Sequence, residues 1–156
     1  PAVAKIRDLL FVHGGLSGER GMEPVATINS RIAAALAPGE MVDRSAIEDP
    51  LGPLWYRGNI TRAPEDAARQ TSQDEIAAVL AYHGASRLIV GHTPAIGGIK
   101  QSHGGRLIQV DTGISAHYGG PASYLEIVGD RLVAHQRGKD GTWTSRELPA
   151  AVQGEL

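Results

Sequence analysis

The segment Leu9-Leu10-Phe11-Val12-His13-Gly14-Gly15 decides how this chain folds. Four consecutive apolar residues stopped by a histidine and two glycines are too short for a helix and read as a buried strand. The same pattern recurs twice. Leu88-Ile89-Val90 is stopped by Gly91-His92-Thr93-Pro94, and Leu107-Ile108-Gln109-Val110 by Asp111-Thr112-Gly113. In open α/β sheets, ligands sit beyond the carboxyl ends of the strands. Neighbouring strands of this kind therefore carry His13, His92 and Asp111 to one rim. The glycines beside them let backbone or ligand come close where a Cβ would block the approach.

Working outward, Val25, Ile28, Ile32 and Leu36 repeat at three and four, with Pro24 at the entry and Pro38-Gly39 at the exit. That spacing predicts a helix with one buried face. Ser72-Gln73-Asp74-Glu75 reads as a capping box with Ser72 as N-cap. Ile76, Val79 and Leu80 then form the buried stripe of a second helix, and Gly84 ends it. Between the helices, residues 38–71 show no periodicity, and ordered loops of that length carry function or mobility. Trp55-Tyr56-Arg57-Gly58 lies within this loop, where the aromatics either wall a cleft or anchor the loop on the core. Further on, Ser123–Val128 and Arg131–Arg137 flank Gly129-Asp130, a two-residue hairpin signal. Thr142-Trp143-Thr144 offers a last strand, and the tail after Pro149 is expected to fray. The order strand, helix, long loop, helix, strand, then hairpins is α/β leading into antiparallel β.

The chain has 156 residues, the size of one domain, and 42% hydrophobic content supports a packed core. Its net charge of −2 gives no overall attraction to nucleic acid or an anionic membrane, and no apolar run has the length of a membrane span. Cysteine is absent, which removes disulfides, thiolate metal sites and cysteine nucleophiles. The first residue is Pro1, with no signal-peptide pattern after it, and the expectation is a segment of a longer polypeptide. Localisation is not legible from it, with cytoplasmic as the default.

Two imidazoles and a carboxylate at neighbouring strand ends are the raw materials of a metal site. The plainer use of such histidines is to cap strand ends by bonding nearby carbonyls. His83, at a helix C-terminus, reads as structural, His103 as part of an exposed turn, and His135 as a surface residue of a hairpin strand. His117 stands beside Tyr118, near enough for a place at a substrate site.

Val12-His13-Gly14-Gly15-Leu16-Ser17 resembles the His-Gly-Gly motif of the phosphoprotein phosphatase branch of the calcineurin-like metallophosphoesterases. Gly91-His92-Thr93 resembles the late Gly-His motif of that superfamily. Leu54-Trp55-Tyr56-Arg57-Gly58 and Val110-Asp111-Thr112-Gly113-Ile114-Ser115 resemble its bacterial Shewanella-like phosphatases. The likeness runs from about Ile6 to Val128. It implies an α/β fold in which residues 1–156 are the C-terminal part of a metallophosphatase β-sandwich flanked by helices, with mixed then antiparallel strands. It also implies phosphomonoester hydrolysis, on a phosphoprotein or a small phosphomonoester, at two divalent ions (Mn, Fe or Zn) that polarise the phosphoryl group and supply a hydroxide. On the family pattern His13 and His92 are metal ligands, Arg57 holds phosphate oxygens and Tyr118 borders the phosphate. Asp111 is placed to orient a ligand histidine, an Asx turn with Thr112-Gly113 being its other use.

The chain departs from the family in its first half. Gly-Asp-x-His, Gly-Asp-x-x-Asp-Arg-Gly and Gly-Asn-His-Asp/Glu, which supply the bridging carboxylate, most ligands of the first metal and the general-acid histidine, do not occur. The expectation is therefore a C-terminal part whose partner is the absent N-terminal half, inactive alone, with no catalytic residue of its own. Its exposed strand edges would favour association. The alternative is a phosphatase-like binding or scaffold module without catalysis.

Overall fold

A computed structural model describes residues 1–39 and 43–152. It shows an α/β arrangement of helices, a mixed five-stranded sheet and an antiparallel three-stranded sheet. The elements are β1 (Val3–Ile6), β2 (Leu9–Val12), α1 (Val25–Ala35), α2 (Ser45–Glu48), α3 (Ser72–His83), β3 (Arg87–Val90), β4 (Lys100–Ser102), β5 (Leu107–Gln109), β6 (Ser123–Val128), β7 (Arg131–Arg137) and β8 (Trp143–Glu147). The larger sheet has the order β1-β2-β3-β5-β4 and the smaller β6-β7-β8. No described helix is long and apolar enough to cross a membrane.

The three apolar runs form the parallel centre of the larger sheet, with Val12 opposite Val90 and Val90 opposite Gln109. Their apolar runs are continuous because both faces are covered. Leu10, Val12, Leu88, Val90 and Leu107 pack under the helices with Ile28, Ile76, Val79 and Leu80. Leu9, Ile89 and Ile108 face the other way, onto Leu132, Ala134 and Leu148 of the smaller sheet and the segment after it. A side-chain period of two thus splits each strand between two cores.

The structure corrects several expectations. Helix α3 is capped by Thr71, not Ser72: the Thr71 hydroxyl accepts the Asp74 N–H at 3.2 Å and donates to the Asp74 carboxylate at 2.6 Å. Glu75 is thereby released from capping and turns into the interior. Gly84 ends the helix in the left-handed region as expected. The long loop is not structureless, since it holds α2 and a 3-10 turn over Pro64–Ala68. Two strands are additional. β1 pairs with β2 through a turn at Arg7, whose φ is 57°, and β4 pairs with β5. The tail does not fray at Pro149 within the described residues. The Pro149 carbonyl accepts from Arg87 and Gln101, each at 2.8 Å, and the Val152 N–H reaches the Gly104 carbonyl at 2.7 Å.

Candidate functional site

The parallel register brings the ends of β2, β3 and β5 level, so His13, His92 and Asp111 emerge at the same edge. A hydrogen bond from Gly91 N–H to the His13 carbonyl, 2.9 Å, ties the first two segments together beyond the last strand pair. His92 then leaves the sheet through a three-residue turn, with Thr93 N–H donating to the Gly91 carbonyl at 2.6 Å. Its φ is 60°. Such a backbone is costly for a residue with a Cβ, and strain of this kind collects at sites where the surroundings over-determine it.

The turn aims the His92 ring at His13. His13 Nε2 and His92 Nδ1 lie 3.2 Å apart, and the ring centroids 4.9 Å. Arg57 NH2 lies 3.1 Å from the other nitrogen, His92 Nε2. A guanidinium only donates, so His92 accepts at Nε2 and carries its proton on Nδ1, from which it donates to His13 Nε2. Burial holds the His92 imidazole below its ordinary value, and the charges of Arg57 and His13 add to this while Asp111 opposes it. His92 is thereby kept toward the neutral state, the one that binds a cation.

The long loop reaches the rim because two glycines let it. A Cβ on Gly14 would lie 3.0 Å from the backbone of Pro53 and Leu54, and one on Gly15 would lie 2.5 Å from Asn59 Oδ1 and 2.8 Å from the Tyr56 carbonyl. Gly14 N–H instead donates to the Pro53 carbonyl at 2.8 Å. The two aromatics divide the roles left open above. Trp55 is half exposed, stands edge-on to His92 at 5.3 Å between centroids, and donates from Nε1 to the Ile47 carbonyl, so it walls the site. Tyr56 is buried and donates to Glu75 Oε2 at 2.6 Å, so it anchors the loop.

Glu75 is the residue that sequence reasoning undervalued. Buried on α3, it accepts from Tyr56 OH, from Asn59 Nδ2 at 3.2 Å, from Arg62 at 2.9 Å, from Arg69 at 3.3 Å and from Gly18 N–H at 3.0 Å. Asn59 also holds Leu16 by both backbone groups, at 2.8 and 3.0 Å. Arg69 lies over the Tyr56 ring at 5.2 Å. Burial, with the Glu75 carboxylate beside it, pushes the Tyr56 phenol up. This network clamps the segments on either side of Arg57. A glutamate inside an otherwise apolar helix stripe was the only sequence signal for it.

Asp111 turns its carboxylate onto Gly113 N–H at 2.9 Å, an Asx turn, from where its charge still acts on His92. Tyr118 is exposed and packs over Gly113, whose Cβ would lie 2.8 Å from that of Tyr118 and 3.3 Å from that of Pro94. It stands on the same rim but has no described contact with His13, His92 or Arg57. The remaining histidines lie elsewhere. His83 donates to the Gly21 carbonyl at 2.6 Å, and His135 stacks on Tyr124 at 4.4 Å. His103, expected in an exposed turn, is half-buried between the hydroxyls of Ser72 and Ser102, each at 3.0 Å. His117 packs edge-on against Tyr118.

The two facing nitrogens fit a shared cation, since ligand atoms bonded at about 2.1 Å to one ion sit roughly 3–3.5 Å apart. They do not complete a shell. Among the described residues no three His, Cys, Asp or Glu side chains gather to hold a metal ion.

No family model matches the chain. It is 34% identical over 127 residues to an uncharacterized protein of Schizosaccharomyces pombe, a match covering 75% of this chain and 35% of that protein. Its fold is similar to the cold-active protein tyrosine phosphatase of a psychrophilic Shewanella species, with a TM-score of 0.70 at 23% identity, covering 92% of this chain and 42% of that one. A second structure, of a cold-active protein tyrosine phosphatase at 1.1 Å, gives the same score and covers 41% of its chain. The chain thus spans about two-fifths or less of the length of these relatives. At this level of identity the likeness is one of fold, and the fold is phosphatase-like.

Proposed function

We propose that this chain contributes the later portion of a metal-dependent phosphomonoesterase site, with His13 and His92 as ligands and Arg57 as the phosphate-binding cation. The observation that carries this reading is the 3.2 Å approach of two imidazole nitrogens with a guanidinium beside them. Carboxylates from a further segment would complete the shell, because catalytic sites use at least three protein ligands. Bound there, two divalent ions (Mn, Fe or Zn) would polarise the phosphoryl group and supply a hydroxide.

The chain's own residues prepare that chemistry. His13 and His92 bring one ring nitrogen each to one point from beyond the ends of two neighbouring strands. A cation held there by His92 Nδ1 would leave the ring proton on Nε2, so that the ring would no longer accept from Arg57. The guanidinium is then free to turn its planar fork to two phosphate oxygens. Trp55 shields one side, and Tyr118 stands further along the rim. Asp111 stabilises the loop after β5 and biases the charge on His92.

The test has two readouts. Substoichiometric Mn²⁺ added to this chain should broaden the ring C–H resonances of His13 and His92 ahead of those of His83, His103, His117 and His135. In the complete polypeptide carrying this segment, His13→Ala or His92→Ala should lower Mn²⁺-dependent hydrolysis of a phosphotyrosine peptide by at least about a hundredfold. Uniform broadening of all six histidines, or near-normal turnover in either variant, overturns the assignment. Phosphate binding with no turnover in the complete polypeptide would favour the scaffold reading.

A further inference from the structure

We propose that a basic, glycine-rich cleft next to the histidine rim binds an acidic side chain of a peptide substrate, a few residues from its phosphorylated residue. This rests on the phosphatase reading and names its substrate class. The cleft has a volume of about 600 Å³ and is bounded by Ile96 and Gly97 on one side, Gly120 on a second, and Arg137, Lys139 and Gly141 on a third. Two cations line it and no carboxylate does. Among the described residues neither Arg137 nor Lys139 forms an ion pair; Arg137 spends its Nε on the Gly141 carbonyl at 3.4 Å. Asp140, the nearest acid in the chain, is turned back onto Thr142, accepting its N–H at 3.1 Å and its hydroxyl at 2.7 Å. The positive charge in the cleft is therefore left for a ligand.

Position connects the cleft to the site. Its first wall continues directly from His92, four residues before Ile96, so the two are at most about 14 Å apart along the chain. Its second wall continues from Asp111 and Tyr118, held by Gly120 N–H on the Gly113 carbonyl at 2.8 Å and by Thr112 Oγ1 on the Pro121 carbonyl at 2.7 Å. A Cβ on Gly120 would lie 1.7 Å from the Thr112 carbonyl oxygen, so this wall folds tightly back toward the rim. The half-exposed Ile96 supplies an apolar edge. A peptide spans about 3.3–3.6 Å per residue when extended, so about four residues cover the span from His92 to the Ile96 wall of the cleft. A small phosphomonoester has nothing that covers it.

The test compares two fluorescent phosphotyrosine peptides in polarisation titrations with this chain. One carries glutamates two to four positions from the phosphotyrosine on both sides, and the other carries glutamines there. The glutamate peptide should bind about tenfold more tightly, the size of a charge-assisted contact. Salt should erode that advantage. The Arg137→Gln/Lys139→Gln double variant, which changes only exposed cations, should lose it. Titration should also shift the amide resonances of Gly97, Gly120 and Gly141. Equal affinity of the two peptides, or an advantage that survives in the double variant, overturns the proposal. Arg57→Gln and an unphosphorylated glutamate peptide separate it from the reading beneath it. A phosphoryl preference lost with Arg57 but no glutamate preference sinks the cleft alone. A glutamate preference lost with Arg137 and Lys139, without any phosphoryl preference, retains the cleft and sinks the phosphatase reading.

Discussion

Two polar clusters lie within the same loop-and-sheet framework, and they are built on opposite principles. Around Glu75, one carboxylate is met by two guanidiniums, a phenol, an amide and a backbone N–H. The carboxylate is buried and met entirely from inside the protein, and Arg69 is paired further with Glu19 and Asp66 toward the surface. Around His92, one guanidinium faces two imidazoles, and no carboxylate bonds any of the three among the described residues. A balanced buried cluster holds structure. The unbalanced one, held in a strained turn at the end of parallel strands, is the one that the proposed function supplies with partners from outside.

That contrast can be broken deliberately. The largest effect is expected from Glu75→Ala, which leaves Arg62, Arg69, Tyr56 and Asn59 facing an empty site. Loss of one partner from a buried ion pair costs about 3–5 kcal/mol, so urea unfolding should show a large drop in midpoint or an unfolded chain. Glu75→Gln should recover part of it. A loss below about 1 kcal/mol for Glu75→Ala would mean that the cluster is not the clamp described. Next comes Gly15→Ala, whose methyl group meets Asn59 and the Tyr56 carbonyl. Overpacking of this kind costs about 1–3 kcal/mol, and displacement of the loop should also weaken inorganic phosphate binding at Arg57. Calorimetry showing unchanged phosphate affinity would separate the loop from the site.

A smaller effect isolates the strain. His92→Gly and His92→Ala both delete the ring, but only glycine adopts φ 60° without penalty. The glycine variant should be the more stable by about 1 kcal/mol in paired denaturation curves. Equal stabilities would show that the turn relaxes at no cost. The smallest effect concerns pH. Burial, helped by Lys100, holds His103 below its ordinary value of 6.5. The unfolded chain then takes up this proton first on acidification. The stabilisation from neutral His103 is fully present above pH 6.5 and declines as pH falls from there through the lower folded value. The slope of stability against pH between 7 and 5 should flatten in His103→Gln, and an unchanged slope would exclude this group.

Much of the rim was legible because parallel strands write themselves as unbroken apolar runs and close on polar residues. Leu9–Val12, Leu88–Val90 and Leu107–Gln109 are strands, and the side chains that follow them meet at one edge. The Gly129-Asp130 turn and both its flanking strands lie where the pattern placed them. The added strands were silent for physical reasons. β1 is an edge strand with Ile6 exposed, and its turn puts Arg7 at positive φ without the glycine or asparagine that announces such turns. β4 is Lys-Gln-Ser, polar and three residues long, kept in place by its pairing with β5 and by Gln101 on the Pro149 carbonyl. The cap moved by one residue because Thr71 and Ser72 offer the same chemistry. The Glu75 network depends on a fold that brings residues 18, 56, 59, 62 and 69 to one helix face, and no local pattern encodes that meeting. Arg57 was placed by resemblance rather than periodicity, and its contact with His92 depends on Gly14 and Gly15 at the other side of the interface.

The segment after β8 has a practical consequence for anyone trimming this polypeptide to a minimal unit. Leu148 is buried between the sheets, and the next carbonyl, that of Pro149, is shared by a side chain from β3 and one from β4. A boundary drawn ahead of Leu148 would look harmless on a diagram of strands and helices. It would pull out the stitch that joins the two layers, and the histidine rim at the far end would lose its foundation.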